Sequence, residues 1–134
     1  MHPVVTIGLV FAALAALIHV YIFVLESLRF DQPSTWRVFG VKGAAEAELM
    51  KPWAYNQGFY NLFLAIGAAV GAILNGVADS GSSASAWGRA LAVYCCAFML
   101  AAALVLIASD RRKARAALVQ GAAPALALVF LLLG

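Results

Sequence analysis

Four stretches of this chain are apolar almost without interruption, and short polar segments separate them. They run from about Pro3 to Leu28, Trp53 to Val77, Trp87 to Ser109 and Ala116 to Leu133. A helix needs about 20 mostly apolar residues to cross the hydrocarbon core, and each stretch falls within the usable range. All are rich in Ala, Leu, Val and Gly, and none alternates in the manner of a barrel strand. The pattern predicts an all-α integral membrane four-helix bundle, built as a single transmembrane domain over residues 1–134. The first stretch has no Lys or Arg before it and is long enough to span, so a retained helix is expected rather than a cleaved signal peptide.

Composition sharpens the picture. Of 134 residues, 65% are hydrophobic and 11% charged, against about 45–50% apolar and about 25% charged in soluble domains. A soluble domain of this size cannot hide that much apolar surface, whereas lipid removes the need to. The net charge is +3, but the basic residues form no patch interleaved with aromatics, so nucleic acid is not an expected partner. Arg29, Arg37, Lys42 and Lys51 belong to the first loop, and Arg111, Arg112, Lys113 and Arg115 to the third. Only Arg89 lies near the second loop. The positive-inside rule therefore puts the first and third loops in the cytoplasm and both termini on the non-cytoplasmic side.

The loops differ in character. In the first, Phe30, Trp36, Phe39 and Met50 alternate with charges, as suits a stretch lying in the headgroup layer with Trp36 as an anchor. The second, Asp79-Ser80-Gly81-Ser82-Ser83, reads as a flexible polar turn with little chemistry. The third is a tight basic hairpin. Cys95 and Cys96 are adjacent within an apolar run and imply small core or lipid-facing residues rather than a disulfide.

Function is sought in the polar groups at membrane depth, which are costly and normally face a bundle interior or a water-filled cavity. His19 and Glu26 are seven residues apart in the first span, on one face and about 10 Å apart along the axis, with Phe23 between them. The second span opens with Tyr55-Asn56-Gln57-Gly58-Phe59-Tyr60-Asn61. There Asn56 with Tyr60, and Gln57 with Asn61, form two neighbouring polar stripes. Antiparallel packing would bring Glu26 near Asn56 or Tyr55, and His19 nearer Asn61 or Phe63. Gln120 in the fourth span joins at a similar depth, and Pro124 after it frees a carbonyl. Each amide or phenol can serve merely as interhelical glue, and Glu26 can pair with Arg29 at i+3. Convergence of so many groups argues for more. Gly67, Gly71 and Asn75-Gly76, with Ala68 and Ala72, form a small-residue ridge for close packing within the bundle or between subunits of a homo-oligomer.

Phosphate loops, His-Glu-x-x-His, Cys-x-x-Cys and a nucleophile elbow are absent from the sequence. His2 and His19 are its two imidazoles, so no metal site is expected, and no cofactor is identified.

His19-x-Tyr21-Ile22 with Glu26, Val38-Phe39-Gly40, Asn56-Gln57-Gly58-x-Tyr60-Asn61, and Gln120-Gly121 with Pro124 carry a resemblance over nearly the whole chain. It resembles a family of small bacterial integral membrane proteins described as domain of unknown function thirteen hundred and four. The resemblance implies a four-helix membrane fold in the bacterial inner membrane and brings no activity, substrate or catalytic residue. Ile18 stands before the histidine, where the family's usual pattern has an acidic or bulky residue.

Three functions compete. The first is a pocket, entered from the lipid bilayer, that binds a small apolar or amphiphilic molecule. Phe23, Asn56, Gln57, Tyr60, Asn61 and Gln120 would hold the ligand, and His19 and Glu26 would act as an acid–base pair able to isomerise it. The second is an oligomeric proton-coupled transporter or channel with Glu26 titrating. The third is a structural subunit whose polar cluster locks the bundle.

Overall fold

The structure is a computed structural model that describes residues 2–134. It is helical throughout: α1 (Pro3–Phe23) continues into a π turn (Val24–Leu28), followed by α2 (Pro33–Phe39), α3 (Ala44–Val77), α4 (Ser83–Ser109) and α5 (Ala114–Leu133). A single 3-10 turn, Arg111–Lys113, leads into α5. Four elements are long and apolar enough to cross a membrane: Pro3–Leu28, Ala44–Val77, Ser83–Ser109 and Arg111–Leu133. They form a closed ring in which α1 packs on α3 and α5, and α4 packs on the same two, leaving α1 and α4 diagonal.

The distribution of side chains is that of a protein dissolved in lipid. Ala12, Ala15, Ala68, Ala92, Cys96 and Ala127 fill the centre, with Met99 and Leu131 as the large buried residues. Leu17, Phe98, Leu104, Val105 and Leu118 are more than half exposed. Water would penalise that surface, whereas acyl chains do not distinguish it from a core, so helix association depends on close packing. The chain is a multi-pass membrane protein.

Close packing is achieved with glycine. A Cβ on Gly71 would lie 2.5 Å from the Ala92 nitrogen, and one on Gly88 would lie 2.5 Å from the Asn75 nitrogen. The backbones of α3 and α4 therefore touch at this crossing. The ridge read from the sequence is used inside the bundle, with Gly67 against Cys95 and Gly71 against Ala92.

Two elements depart from the hydropathy reading. The helix predicted from Trp53 begins at Ala44, because charge does not break a helix outside the hydrocarbon. Glu46 accepts from the Lys42 N–H at 2.6 Å at its start, and Pro52 is carried inside it. The first loop contains α2, entered at Pro33 and ended by Gly40 in the left-handed region at φ 71°. Trp36 Nε1 donates to the Phe30 carbonyl at 2.6 Å, and Phe30 is buried, so α2 is tied to the end of α1.

Candidate functional site

The inner faces of α1 and α3 meet at the basic end of the bundle. Through Val24–Leu28 the helix widens to i→i+5 bonding, and the Arg29 N–H donates to the Val24 carbonyl at 2.9 Å. A π turn inserts one residue into a helical turn and commonly marks a functional position. Here it pushes Glu26 and Ser27 towards α3, and Gly58 provides the room. A Cβ at Gly58 would collide with Ser27 Oγ and lie 3.1 Å from the Cβ atoms of both Glu26 and Ser27.

That contact joins two polar pairs. Asn61 Nδ2 donates to Glu26 Oε2 at 2.9 Å and, more weakly, to the Gln57 carbonyl at 3.3 Å. Ser27 Oγ donates to the Tyr55 carbonyl at 2.8 Å. Glu26 is 7% exposed, which buries a carboxyl group beside a single side-chain donor. Taking the midpoint of Pro3–Leu28 as the bilayer centre, Glu26 lies ~16 Å from it and His19 ~5 Å, at 1.5 Å per residue. Glu26 therefore sits at the edge of a hydrocarbon core of half-thickness ~15 Å, and His19 lies deep within it.

The expected cluster is only partly assembled. Glu26 and Asn61 come together, but Asn56 and Tyr60 are exposed on the side away from α1, and Gln57 is exposed as well. At 100° per residue, Asn56 and Tyr60 each lie ~160° from Gly58, the position that touches α1, so their stripe cannot face it. The register fixed by Gly58 against Glu26 and Ser27 sets Asn56 near the level of Arg29, where polar side chains meet headgroups. Phe23 meets Phe59 edge-to-face at 5.1 Å, and Phe59 meets Tyr55 at 5.2 Å. These rings pack on one another along the same stretches of chain that carry Glu26 and Asn61.

His19 is separate from that pair. It is 1% exposed, and its Nδ1 lies 2.8 Å from the Ala15 carbonyl of its own helix. A carbonyl only accepts, so Nδ1 carries the proton, and in the neutral ring Nε2 is an acceptor. Nε2 is buried with no hydrogen-bond partner among the described residues. Gly8 packs against Leu131 in α5, and eleven residues further along each antiparallel helix His19 comes level with Gln120. Pro124 has no N–H for the Gln120 carbonyl, so a second open acceptor stands at the same depth. Gln120 itself is half-buried.

A groove of about 320 Å³ runs along the outer face of the α1–α3 contact. Ala13, Ala16, Leu17 and Val20 form one wall, and Ala65, Ala69 and Ile73 belong to the other. Its lining is apolar, and His19 is not part of it. Small residues on facing helices leave the channel, which the sequence does not announce because both alanine runs look like packing surface.

At the opposite, terminal end lies a second polar group that the sequence pattern does not reveal. Asn75 is 8% exposed, and its Nδ2 donates to both the carbonyl and Oγ of Ser85 at 2.9 Å. Arg89 reaches across to the Leu131 carbonyl. In sequence these residues belong to a ridge, a turn and a lone charge. The antiparallel register of α3 and α4 joins them.

No curated protein and no solved structure shows significant similarity to the chain. A family model described as a protein of unknown function (DUF1304) matches residues 13–132. That match runs from the middle of α1 nearly to the end of α5 and includes the π turn, Gly58, Glu26 and Asn61. The chain belongs to this family of unknown function, DUF1304.

Proposed function

We propose that this protein binds a single-chain amphiphile taken from the lipid phase, with its basic end on the cytoplasmic side as the positive-inside rule requires. The apolar chain lies along the α1–α3 groove, and the polar end sits at Glu26 and Asn61. The observation that carries this reading is continuity of register between groove and pair. Ala13, Ala16, Leu17 and Val20 follow the i, i+3, i+4, i+7 strip of α1, which runs on to Phe23, the last residue before the π turn that carries Glu26. On α3 the strip through Ile73, Ala69 and Ala65 reaches Asn61 four residues on. From Ala13 to Glu26 is ~20 Å along the helix, enough for an extended chain capped by a polar group.

The polar end needs a hydroxyl or amine donor for the Glu26 carboxyl group. Phe23 and Phe59 gate the approach and rearrange around the head. Acid–base isomerisation by His19 with Glu26 would require both groups within hydrogen-bond reach of one reacting segment. Two helical turns put them out of shared reach, so binding alone is proposed.

The test is native mass spectrometry of protein extracted from its own membranes in mild detergent. An amphiphile of defined mass is expected to co-purify and to fall at least ~10-fold, about 1.4 kcal/mol, in Ala69→Phe, where a ring fills the groove. Equal retention by the folded Ala69→Phe protein, or no retained amphiphile in the unsubstituted protein, would reject the reading.

A further inference from the structure

The terminal end of the bundle carries a cavity of about 200 Å³ that the amphiphile site does not use. Asn75, Ser80, Ser85 and Arg89 line it, and His2 and the carboxyl-terminal Gly134 also belong to its wall. It differs from the groove in being walled largely by polar groups. Val5 also lines it, within the first turn of α1, so it opens at headgroup depth.

Three features of its wall are incomplete. Arg89 is half-buried, and its guanidinium spends one N–H on the Leu131 carbonyl. No carboxylate lies within pairing distance of it, since the ion pair among the described residues joins Arg112 to Asp110 on the far side of the bundle. A partly buried cation without a counter-ion is costly near lipid. Ser85 Oγ accepts from Asn75, which leaves the hydroxyl proton free to donate. Asn75 Oδ1 is a buried acceptor with no partner among the described residues.

One ligand chemistry completes all three. An oxyanion pairs with Arg89 and accepts from Ser85, and a donor on the same molecule turns to the Asn75 amide oxygen. We propose that this cavity binds a phosphate group that carries its own hydrogen-bond donor. A glycerol or ethanolamine phospholipid headgroup offers that chemistry, and so does free monohydrogen phosphate. A choline headgroup has the phosphate but no N–H or O–H donor.

The experiment uses the full chain, purified and delipidated in detergent, and reads bound lipid by native mass spectrometry. Phosphatidylglycerol, phosphatidylethanolamine and phosphatidylcholine with identical acyl chains are added in turn, each with and without millimolar inorganic phosphate. The expected result is retention of the glycerol and ethanolamine lipids at least ~10-fold above the choline lipid. Arg89→Gln and Ser80→Trp should each abolish that preference. Ser80 sits on an exposed turn, so its substitution fills the cavity without touching a helix contact. Lipid retention that phosphate does not displace supports the headgroup as source. Displacement by phosphate, with phosphate itself raising the melting temperature of the lipid-free protein, supports the free anion. Equal retention of all three lipids with no effect of phosphate, or an unchanged preference in folded Ser80→Trp, overturns the proposal.

Discussion

Alanine at Gly88 or at Gly71 is expected to destabilise the bundle by ~3 kcal/mol, at the upper end of overpacking costs. At either position the added carbon meets backbone 2.5 Å away, and backbone cannot rotate aside as a side chain does. The helices α3 and α4 must then separate, which disrupts the packing of Ala92 and the paired hydrogen bonds from Asn75 to Ser85. In lipid no hydrophobic force draws the helices back together, so nothing compensates for the separation. Gly76 supplies the control, because a Cβ there meets Leu9 at an ordinary 3.6 Å, and Gly76→Ala should change stability by less than ~0.5 kcal/mol. Equilibrium unfolding in mixed micelles, followed by circular dichroism, reads all three. Gly71 and Gly88 touch each other's helix at one crossing, so the double variant should be destabilised by less than the two single effects combined. Similar midpoints for Gly88→Ala and Gly76→Ala would show that the two backbones do not meet.

Gly58→Ala is expected to cost ~2 kcal/mol and to remove amphiphile binding. Ser27 Oγ can swing away from the new methyl group, but the Cβ atoms of Glu26 and Ser27, both 3.1 Å from it, are fixed by the π turn. The turn must retreat from α3, breaking Ser27 from the Tyr55 carbonyl and Glu26 from Asn61. Interhelical hydrogen bonds in membranes contribute ~0.6–2 kcal/mol each, so steric and polar effects are of similar size. Ser27→Ala in the same chain relieves the nearest collision but neither Cβ contact, and should recover less than half of the stability. Full recovery of stability and binding in that double variant would mean that Ser27 Oγ alone opposes the methyl group, and that the π turn places nothing.

The spans were legible because lipid imposes a single coarse requirement, a long apolar helix, and the chain meets it four times. The same rule concealed what lies outside lipid. The first nine residues of α3 carry Glu46 and Glu48 and look like loop to a hydropathy reading, and α2 is hidden in the same way although Pro33 and Gly40 mark its two ends. The approach of Glu26 to the start of the second span was readable from antiparallel packing, but Asn61, expected nearer His19, is the partner of Glu26 instead. Which stripe of α3 faces inward was not readable, because that choice rests on Gly58 fitting a π turn of another helix. The orphaned nitrogen of His19 and the Asn75–Ser85–Arg89 group are tertiary in the same sense. Each is assembled by a register between helices, and no local pattern announces it.

On the reading proposed above, one strip between α1 and α3 holds a chain with its head at the Glu26–Asn61 pair. Photolabelling tests it most directly: a single-chain amphiphile with a hydroxyl head and a diazirine near the tail end is incorporated with the protein into nanodiscs, and the labelled residues are mapped by mass spectrometry. Labels are expected to concentrate on Ala13, Leu17 and Ile73, to be abolished by Ala69→Phe and to be shifted or scattered by Glu26→Leu. Labels spread evenly around the lipid-facing surfaces of α1, α3, α4 and α5, and unchanged in both variants, would contradict it.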